Sequence, residues 1–165
     1  MRGWVGVTPA DLARRVPRDA AYPSEVVDQL AVAYTVWAER AGLRVDLLWA
    51  QMLLETGGLR FGGQVKPWQY NLCGLKTTAG DAFASFASPI LGVVAHVMHM
   101  AWYAYPAHLP LAECSITYDP RHRTINGKPH QGAGAVAVVG DLGGGRWANS
   151  ADYAAGIVRV WERGV

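Results

Sequence analysis

The stretch Trp49-Ala50-Gln51-Met52-Leu53-Leu54-Glu55-Thr56-Gly57-Gly58 decides the fold of this chain. Its run of apolar residues predicts a buried helix. Asp46 is predicted to be the N-cap of this helix, which then starts at Leu47. Gly57 and Gly58 allow the backbone to leave the helical conformation at the other end. The helix therefore ends on an acid, Glu55.

Helical spacing places Glu55 on the same face as Leu48 and Met52, with Gln51 one turn before it. Burial disfavours the charged form of a carboxyl group and so raises its pKa. Such an acid keeps its proton near neutral pH and can donate it to a leaving oxygen, as glycosidic bond cleavage requires. The alternative is an ordinary residue of the last helical turn that faces solvent, which the helix dipole slightly disfavours.

Further motifs follow Glu55-Thr56-Gly57-Gly58 in order along the chain: Phe61-Gly62-Gly63, Gln69-Tyr70-Asn71, Cys73-Gly74-Leu75-Lys76-Thr77-Thr78, Gly92-Val93 with Ala95-His96, Asp119-Pro120-Arg121, Gly145-Arg146-Trp147-Ala148 and Asp152-Tyr153. This ordered set resembles the glucosaminidase family of lysozyme-like glycosidases, which comprises glycoside hydrolase family 73 and its relatives. The resemblance covers residues 24 to 163.

The resemblance implies a mainly α, lysozyme-like α+β fold, in which a helical lobe carries the catalytic Glu at a helix C-terminus. It implies that Glu55 is the general acid, that Tyr153 approaches it and that Asn71 lines the cleft. The implied substrate is the glycan strand of peptidoglycan, with no cofactor. The predicted substrate-binding residues are Gln51, Trp68, Tyr70, Asn71 and Gly74.

Periodicity and capping signals predict the other helices. A short helix follows Thr8-Pro9, and Ser24 is predicted to cap a second helix that ends at Gly42. Ser88-Pro89 starts another, which stops before Pro106, and Ser150 caps the last; the run 133–139 looks buried. Residues 57–88 lack helical periodicity and predict a loop or short hairpin. We therefore expect a reduced small lobe there and a cleft with Glu55 at its base.

The second carboxylate that most glycosidases require is not obvious. Asp81 could be the partner acid, although its setting favours a turn residue. Asp119 is interpreted as a structural ion pair or turn. If neither serves, the acetamido group of the substrate could act as nucleophile, and a lytic transglycosylase would need only one protein acid.

Aromatic residues offer faces for sugar rings, but most of them are interpreted as core because of the large area that they bury. Trp68 and Tyr70, in a loop rich in Gly and Pro, remain subsite candidates. Tyr153, on the first turn of the last helix, is predicted to hydrogen-bond developing charge or to position a water molecule; a half-buried structural aromatic is the alternative.

Composition predicts one folded domain over residues 1–165, with residues 1–22 as an N-terminal arm, and a monomer. The chain is 51% hydrophobic and 17% charged, and no apolar run approaches the length of a membrane span. The start of the sequence shows no secretory signal. Action on the cell wall then suggests a phage lysis protein, a virion protein or a domain of a larger exported chain.

A formal net charge of +2 is too small to indicate nucleic-acid binding. A basic cluster at Arg121, His122, Arg123, Lys128 and His130 is interpreted as a solvated loop, with attraction to anionic wall polymers as the alternative.

Metal and thiol chemistry are weakly indicated. His96 and His99 stand three residues apart, but no third ligand is evident, so no metal site is predicted. Cys73 and Cys114 could pair, although buried free thiols are favoured.

Three functions therefore compete: an endo-β-N-acetylglucosaminidase acting on peptidoglycan, a muramidase or lytic transglycosylase of the same fold, and a non-catalytic wall-binding or virion structural domain. The complete motif around Glu55 argues against the third.

Overall fold

Helices dominate the fold, as the sequence predicts. The structure is a computed structural model and describes residues 1–3, 5–77, 81–105, 119–120, 124–125, 128–129 and 134–163. The α-helices are α1 (Pro9–Ala13), α2 (Ser24–Arg40), α3 (Val45–Thr56), α4 (Pro89–Ala104) and α5 (Tyr153–Arg163). Two 3-10 turns, Pro67–Gln69 and Val139–Leu142, and a two-stranded antiparallel ladder of β1 (Thr124–Ile125) and β2 (Lys128–Pro129) complete the described elements.

Helix α3 lies at the centre of the domain. Every residue from Val45 to Leu53 is buried, so this helix is covered on all sides rather than on one apolar face. A helix that is apolar all round belongs inside a domain. Helix α5 packs against α3, while α2 packs against α1, α3 and α4. This arrangement holds the C-terminal end of α3, which carries Glu55, on a rigid support.

Three predicted helix starts differ from the structure. Helix α3 begins at Val45 with Arg44 as N-cap, because Asp46 lies inside the first turn and its carboxylate binds Arg44 instead of a backbone N–H. Helix α2 begins at Ser24 itself, after Pro23, without a side-chain cap. The hydroxyl of Ser150 accepts a bond from the Asp152 N–H in a preceding turn, so α5 begins only at Tyr153.

Other local predictions are confirmed. The short helix predicted after Thr8-Pro9 is α1, which begins at Pro9; Thr8 caps it in a reciprocal capping box with Asp11 that was not predicted. The Ser88 hydroxyl caps α4 by accepting from the Leu91 N–H at 3.3 Å. Gly57 ends α3 in the left-handed conformation.

The apolar run 133–139 is only partly buried. Val136 has no exposed surface, whereas the side chain of Val138 is 57% exposed. The reason is that Val138 precedes a 3-10 turn at the surface, where its N–H binds Asp141. The first residue of the run and most of the basic cluster near Arg121 lie outside the described residues.

The N-terminal segment, residues 1–3 and 5–22, packs against the rest of the domain. Leu12 of α1 has no exposed surface, and the amino group of Met1 donates to the Ala137 carbonyl at 2.9 Å. Among the residues that the structure describes, no helix is long and apolar enough to cross a membrane.

Candidate active site

The end of α3 presents Glu55 at the base of a cleft. Thr56 secures this helix end, because its hydroxyl donates to the Met52 carbonyl at 2.8 Å and accepts from the Leu59 N–H at 2.9 Å. These two bonds tie the last turn of the helix to the segment that follows it. With the left-handed turn at Gly57, they fix the direction in which the Glu55 side chain leaves the helix.

Two hydrogen bonds hold the Glu55 carboxylate, and both reach the same oxygen. The Trp147 indole N–H donates to Oε1 at 3.0 Å, and the Tyr153 hydroxyl donates to that oxygen as well. Burial raises the pKa of Glu55 above its ordinary value, and the bonds from Tyr153 and Trp147 oppose part of that rise. The Glu55 side chain is exposed to solvent on the side that faces the cleft. The protein atoms packed around its other sides cause the rise in its pKa.

The cleft has a volume of about 370 Å³, within the usual range for small-ligand sites. Its walls come from three segments: 55–57 at the end of α3, Phe61–Val65, and the group Asn71, Gly74 and Phe83. As expected, it lies between the helical part and residues 57–88, which we call the front loop. Glu55 is the only carboxylate among these described lining residues.

Asn71 holds the front loop together from inside. Its side-chain amide donates to the carbonyls of Leu75 at 2.7 Å and Ala84 at 3.0 Å, while its oxygen accepts from the Leu75 N–H at 2.9 Å. The residue is 1% exposed. Asn71 therefore shapes the wall of the cleft, and its amide is committed to the loop backbone.

A short hairpin forms the outer part of the front loop. Lys76 and Phe83 pair as an isolated antiparallel bridge, and the Thr77 N–H donates to the Ala82 carbonyl at 2.9 Å. Asp81, near the tip, has a fully exposed side chain paired with the Lys76 ammonium at 2.9 Å. Hydrogen bonding and charge from Lys76 lower the pKa of Asp81, so this carboxylate is ionised at neutral pH.

The remaining predicted binding residues lie at different distances from the acid. Gly74 adjoins Glu55, since a β-carbon added there would lie 3.8 Å from Oε2. Trp68 is 70% exposed on the 3-10 turn Pro67–Gln69, and Tyr70 follows it in a left-handed conformation. Neither is among the residues that line the cleft around Glu55.

Gln51 is buried behind Tyr153 and does not line the cleft. Its amide nitrogen lies 3.1 Å from the Tyr153 hydroxyl, and its oxygen lies 3.1 Å from Nε2 of His96. The other ring nitrogen of His96 is 2.7 Å from the Tyr34 hydroxyl. A continuous polar chain thus runs from α2 through α4 and α3 to the start of α5.

Trp147 is a site residue that the sequence reasoning assigned to the core. It is half-buried and packs against the rings of His96, His99 and Tyr103, whose centroids lie 5.3 to 5.8 Å away. Only its indole N–H reaches the acid. The sequence feature that could have identified Trp147 as a site residue was its position within the motif Gly145-Arg146-Trp147-Ala148.

The His and Cys residues form no metal site in the described part of the chain, where no cluster of three or more His, Cys, Asp or Glu side chains could hold an ion. Nδ1 of His99 lies 2.9 Å from Oδ2 of buried Asp119, which agrees with a structural pair. Cys73 is a buried free thiol, and Cys114 lies outside the described residues.

Comparison with known proteins identifies the family of the chain. The glucosaminidase family, described as mannosyl-glycoprotein endo-beta-N-acetylglucosaminidase, matches residues 31–164, most of the chain. A protein of Borreliella burgdorferi (strain B31), described only as an uncharacterized protein, is 30% identical over 131 residues. That match includes 77% of this chain, and it spans only 57% of the longer relative. No solved structure matches the chain. Because the family match extends over residues 31–164, the chain belongs to the glucosaminidase family of glycoside hydrolases.

Proposed function

We propose that the protein is an endo-β-N-acetylglucosaminidase that cuts β-1,4 bonds in the glycan strand of peptidoglycan, with Glu55 as general acid. The observation that carries the proposal is the position of the Glu55 carboxyl at the base of the cleft. Burial raises its pKa, and two donors bind its Oε1. A carboxyl with a raised pKa can protonate a leaving oxygen at near-neutral pH.

The proton to be transferred belongs on Oε2. Oε1 already accepts from Trp147 and Tyr153, and an oxygen that accepts two hydrogen bonds is a poor place for a proton. Oε2 lies on the side of Gly74, which lines the cleft. A side chain at Gly74 would therefore narrow the space in which a glycosidic oxygen meets the acid.

The second half of the reaction is proposed to use the substrate itself. Asp119 has no exposed surface, and Asp81 is an exposed, paired carboxylate at the hairpin tip. The acetamido carbonyl oxygen of the GlcNAc unit would attack C1 as Glu55 protonates the departing oxygen and the C1–O bond breaks. Water then opens the cyclic intermediate and returns its proton to the Glu55 carboxylate.

Mass spectrometry of digested peptidoglycan tests the linkage. Reducing-end GlcNAc in the products is the expected result, and the Glu55→Gln variant should release none of it. Reducing-end MurNAc would instead indicate a muramidase, and anhydroMurNAc a transglycosylase. No product from folded protein would favour the non-catalytic wall-binding or virion role.

The proposed place of action is the cell wall, since the proposed substrate lies there. Release by phage lysis or delivery in a virion stays a prediction of the sequence. Adding purified protein to intact cells and to isolated walls would test it, because an enzyme that needs a delivery route digests the walls but leaves the cells unlysed.

A further inference from the structure

The polar chain behind Glu55 connects four helices through side chains that are almost all buried. Tyr34 of α2, His96 of α4 and Gln51 of α3 have no exposed surface, and Tyr153 of α5 is half-buried. Successive donor–acceptor distances are 2.7 Å for Tyr34 to His96, 3.1 Å for His96 to Gln51 and 3.1 Å for Gln51 to Tyr153. A buried polar group without a hydrogen-bond partner costs free energy, which explains why each of these side chains is bonded to its neighbours in the chain.

The hydrogen bonds of the chain share one direction. Tyr153 donates to Glu55, so its oxygen is free to accept from the Gln51 amide nitrogen. The Gln51 oxygen then faces Nε2 of His96 and can only accept. Nε2 must therefore carry the ring proton, and Nδ1 must accept from the Tyr34 hydroxyl.

The charge state of His96 agrees with this direction. Burial, with a smaller effect of nearby His99, lowers the pKa of His96 to about 3. The ring is therefore neutral, with one donor and one acceptor nitrogen, which is what its two partners require.

Trp147 fixes the other end of the chain. An indole N–H only donates, so Oε1 must accept whatever the remaining groups do. If the bonds ran in the opposite direction, Oε1 would have to carry a proton and donate it to Tyr153. That oxygen already accepts the Trp147 N–H, which disfavours a proton there. The two ends of the network therefore agree on a single direction.

We propose that His96 is a positioning residue that acts through Gln51 to keep Tyr153 donating to Oε1 of Glu55, which leaves the transferable proton on Oε2. The proposal rests on the proposed role of Glu55 as general acid. Without the His96 donor, the Gln51 amide is free to turn its oxygen toward Tyr153. The hydroxyl would then donate to Gln51 for part of the time, and Glu55 would lose a bond that stabilises its charged form.

In the part of the chain that the structure describes, few titratable groups face this network. Tyr153 of α5 and Cys73 of the front loop face Glu55, while Tyr34 of α2 and His99 of α4 face His96. Burial, as the main cause, raises the pKa of the Tyr153, Cys73 and Tyr34 groups, which are therefore neutral near pH 7.

The test compares His96→Leu, His96→Gln and the pair His96→Leu with Tyr34→Phe. The double variant removes the Tyr34 hydroxyl that His96→Leu leaves unpartnered, so it guards against failure to fold. His96→Gln retains an N–H donor and serves as the rescue variant. Val97→Ala, a fully buried neighbour outside the network, is the matched control for a loss of packing.

Two readouts separate positioning from structure: the pH profile of kcat, and titration of the Glu55 carboxyl by NMR of protein with ¹³C-labelled glutamate. The Glu55 signal is identified by its absence in Glu55→Gln. In both Leu variants we expect the Glu55 titration and the basic limb of kcat to move to higher pH. At the plateau, kcat should fall about tenfold with KM unchanged, as for the loss of one bond to a charged group.

His96→Gln should return both readouts toward the parent protein, and Val97→Ala should lower thermal stability without moving either. If the Leu variants titrate like Val97→Ala, the positioning role of His96 is wrong. If Glu55→Gln remains active, the proposed general acid is wrong, whatever the NMR titration shows.

Discussion

The two sides of the cleft are built by different means. On one side, the end of α3 presents Glu55, and Trp147 and the start of α5 support its carboxylate from behind without lining the cleft; we call this group the rear wall. It is held by a chain of side-chain hydrogen bonds and by aromatic packing on α4. The front loop is held by bonds to its own backbone, which come from the buried Asn71 side chain and from the Lys76–Phe83 bridge. In the proposed mechanism the rear wall controls the protonation of Glu55, whereas the front loop sets the shape of the space before it.

Backbone strain is concentrated in the front loop. Among the described residues, the non-glycine residues with positive φ are Leu59, Phe61 and Tyr70, all of which lie in this loop. Such conformations cost on the order of 1–3 kcal/mol each. Leu59 and Phe61 are buried, and burial of a large apolar side chain contributes roughly 1.5–3 kcal/mol, enough to offset that cost.

A glycine of α4 couples the two sides. A β-carbon at Gly92 would lie 2.0 Å from the Tyr70 carbonyl oxygen, so the helix and the front loop touch through their backbones. The contact supports the loop beside Asn71. It also explains why this position of an otherwise apolar helix carries a glycine.

The largest effect should come from Glu55→Gln. The amide can still accept from Trp147 and Tyr153 through its oxygen, but it cannot protonate a leaving group. Activity on peptidoglycan should fall by roughly 10²- to 10⁴-fold with the fold intact. Turnover measurements with circular dichroism as the folding control would check this, and a folded variant with near-parent activity would rule out Glu55 as the acid.

Tyr153→Phe tests the rear wall one step from the acid. Since the bond to Glu55 strengthens as charge develops, its loss should lower kcat by roughly 10- to 100-fold and leave KM little changed. Steady-state kinetics on a soluble glycan fragment would measure both constants. A rise in KM alone would instead assign Tyr153 to substrate binding.

Gly92→Ala tests the coupling of front loop and helix. We expect a loss of about 1–3 kcal/mol in the free energy of unfolding, because backbone atoms cannot move aside as a side chain can. Gly140→Ala is the matched control, since the nearest atom to its added β-carbon lies 3.9 Å away. Urea denaturation would measure both, and equal stability of the two variants would contradict the close contact.

Glu55 should also make stability depend on pH. Its folded pKa lies above the ordinary value of 4.5, so the unfolded chain ionises first as the pH rises. Between the two pKa values the folded state binds more protons, and stability falls with rising pH. The unfolding free energy of the parent protein minus that of Glu55→Gln should therefore decrease across this window. A difference independent of pH would mean that burial does not raise the pKa.

The smallest effect is expected for Asp81→Asn on the front loop. Its exposed ion pair with Lys76 is screened by solvent and adds little to stability, and the proposed mechanism gives Asp81 no chemical role. Kinetics run in parallel with those of Tyr153→Phe should show near-parent kcat. If Asp81→Asn is as inactive as Glu55→Gln, a partner carboxylate exists and the substrate-assisted reaction is wrong.

The sequence by itself determined the helical architecture and the position of the acid. Apolar periodicity, the helix start at Thr8-Pro9, the Ser88 cap and the Gly57 stop depend on interactions within a few residues, and the structure confirms them. The start of α3 was predicted wrongly because the Asp46 carboxylate binds the Arg44 side chain. The position of Arg44 depends in turn on the bond from its N–H to the Met1 carbonyl.

Only the tertiary structure decided how the acid is held. Glu55 meets Trp147 and Tyr153 across separations of 92 and 98 residues, and no local pattern encodes which side chains meet over such distances. The direction of the bonds from Tyr34 through His96 and Gln51 likewise follows from the packing of separate helices. The helices form from local preferences, whereas the protonation of Glu55 depends on burial and on donors that only the folded chain brings together.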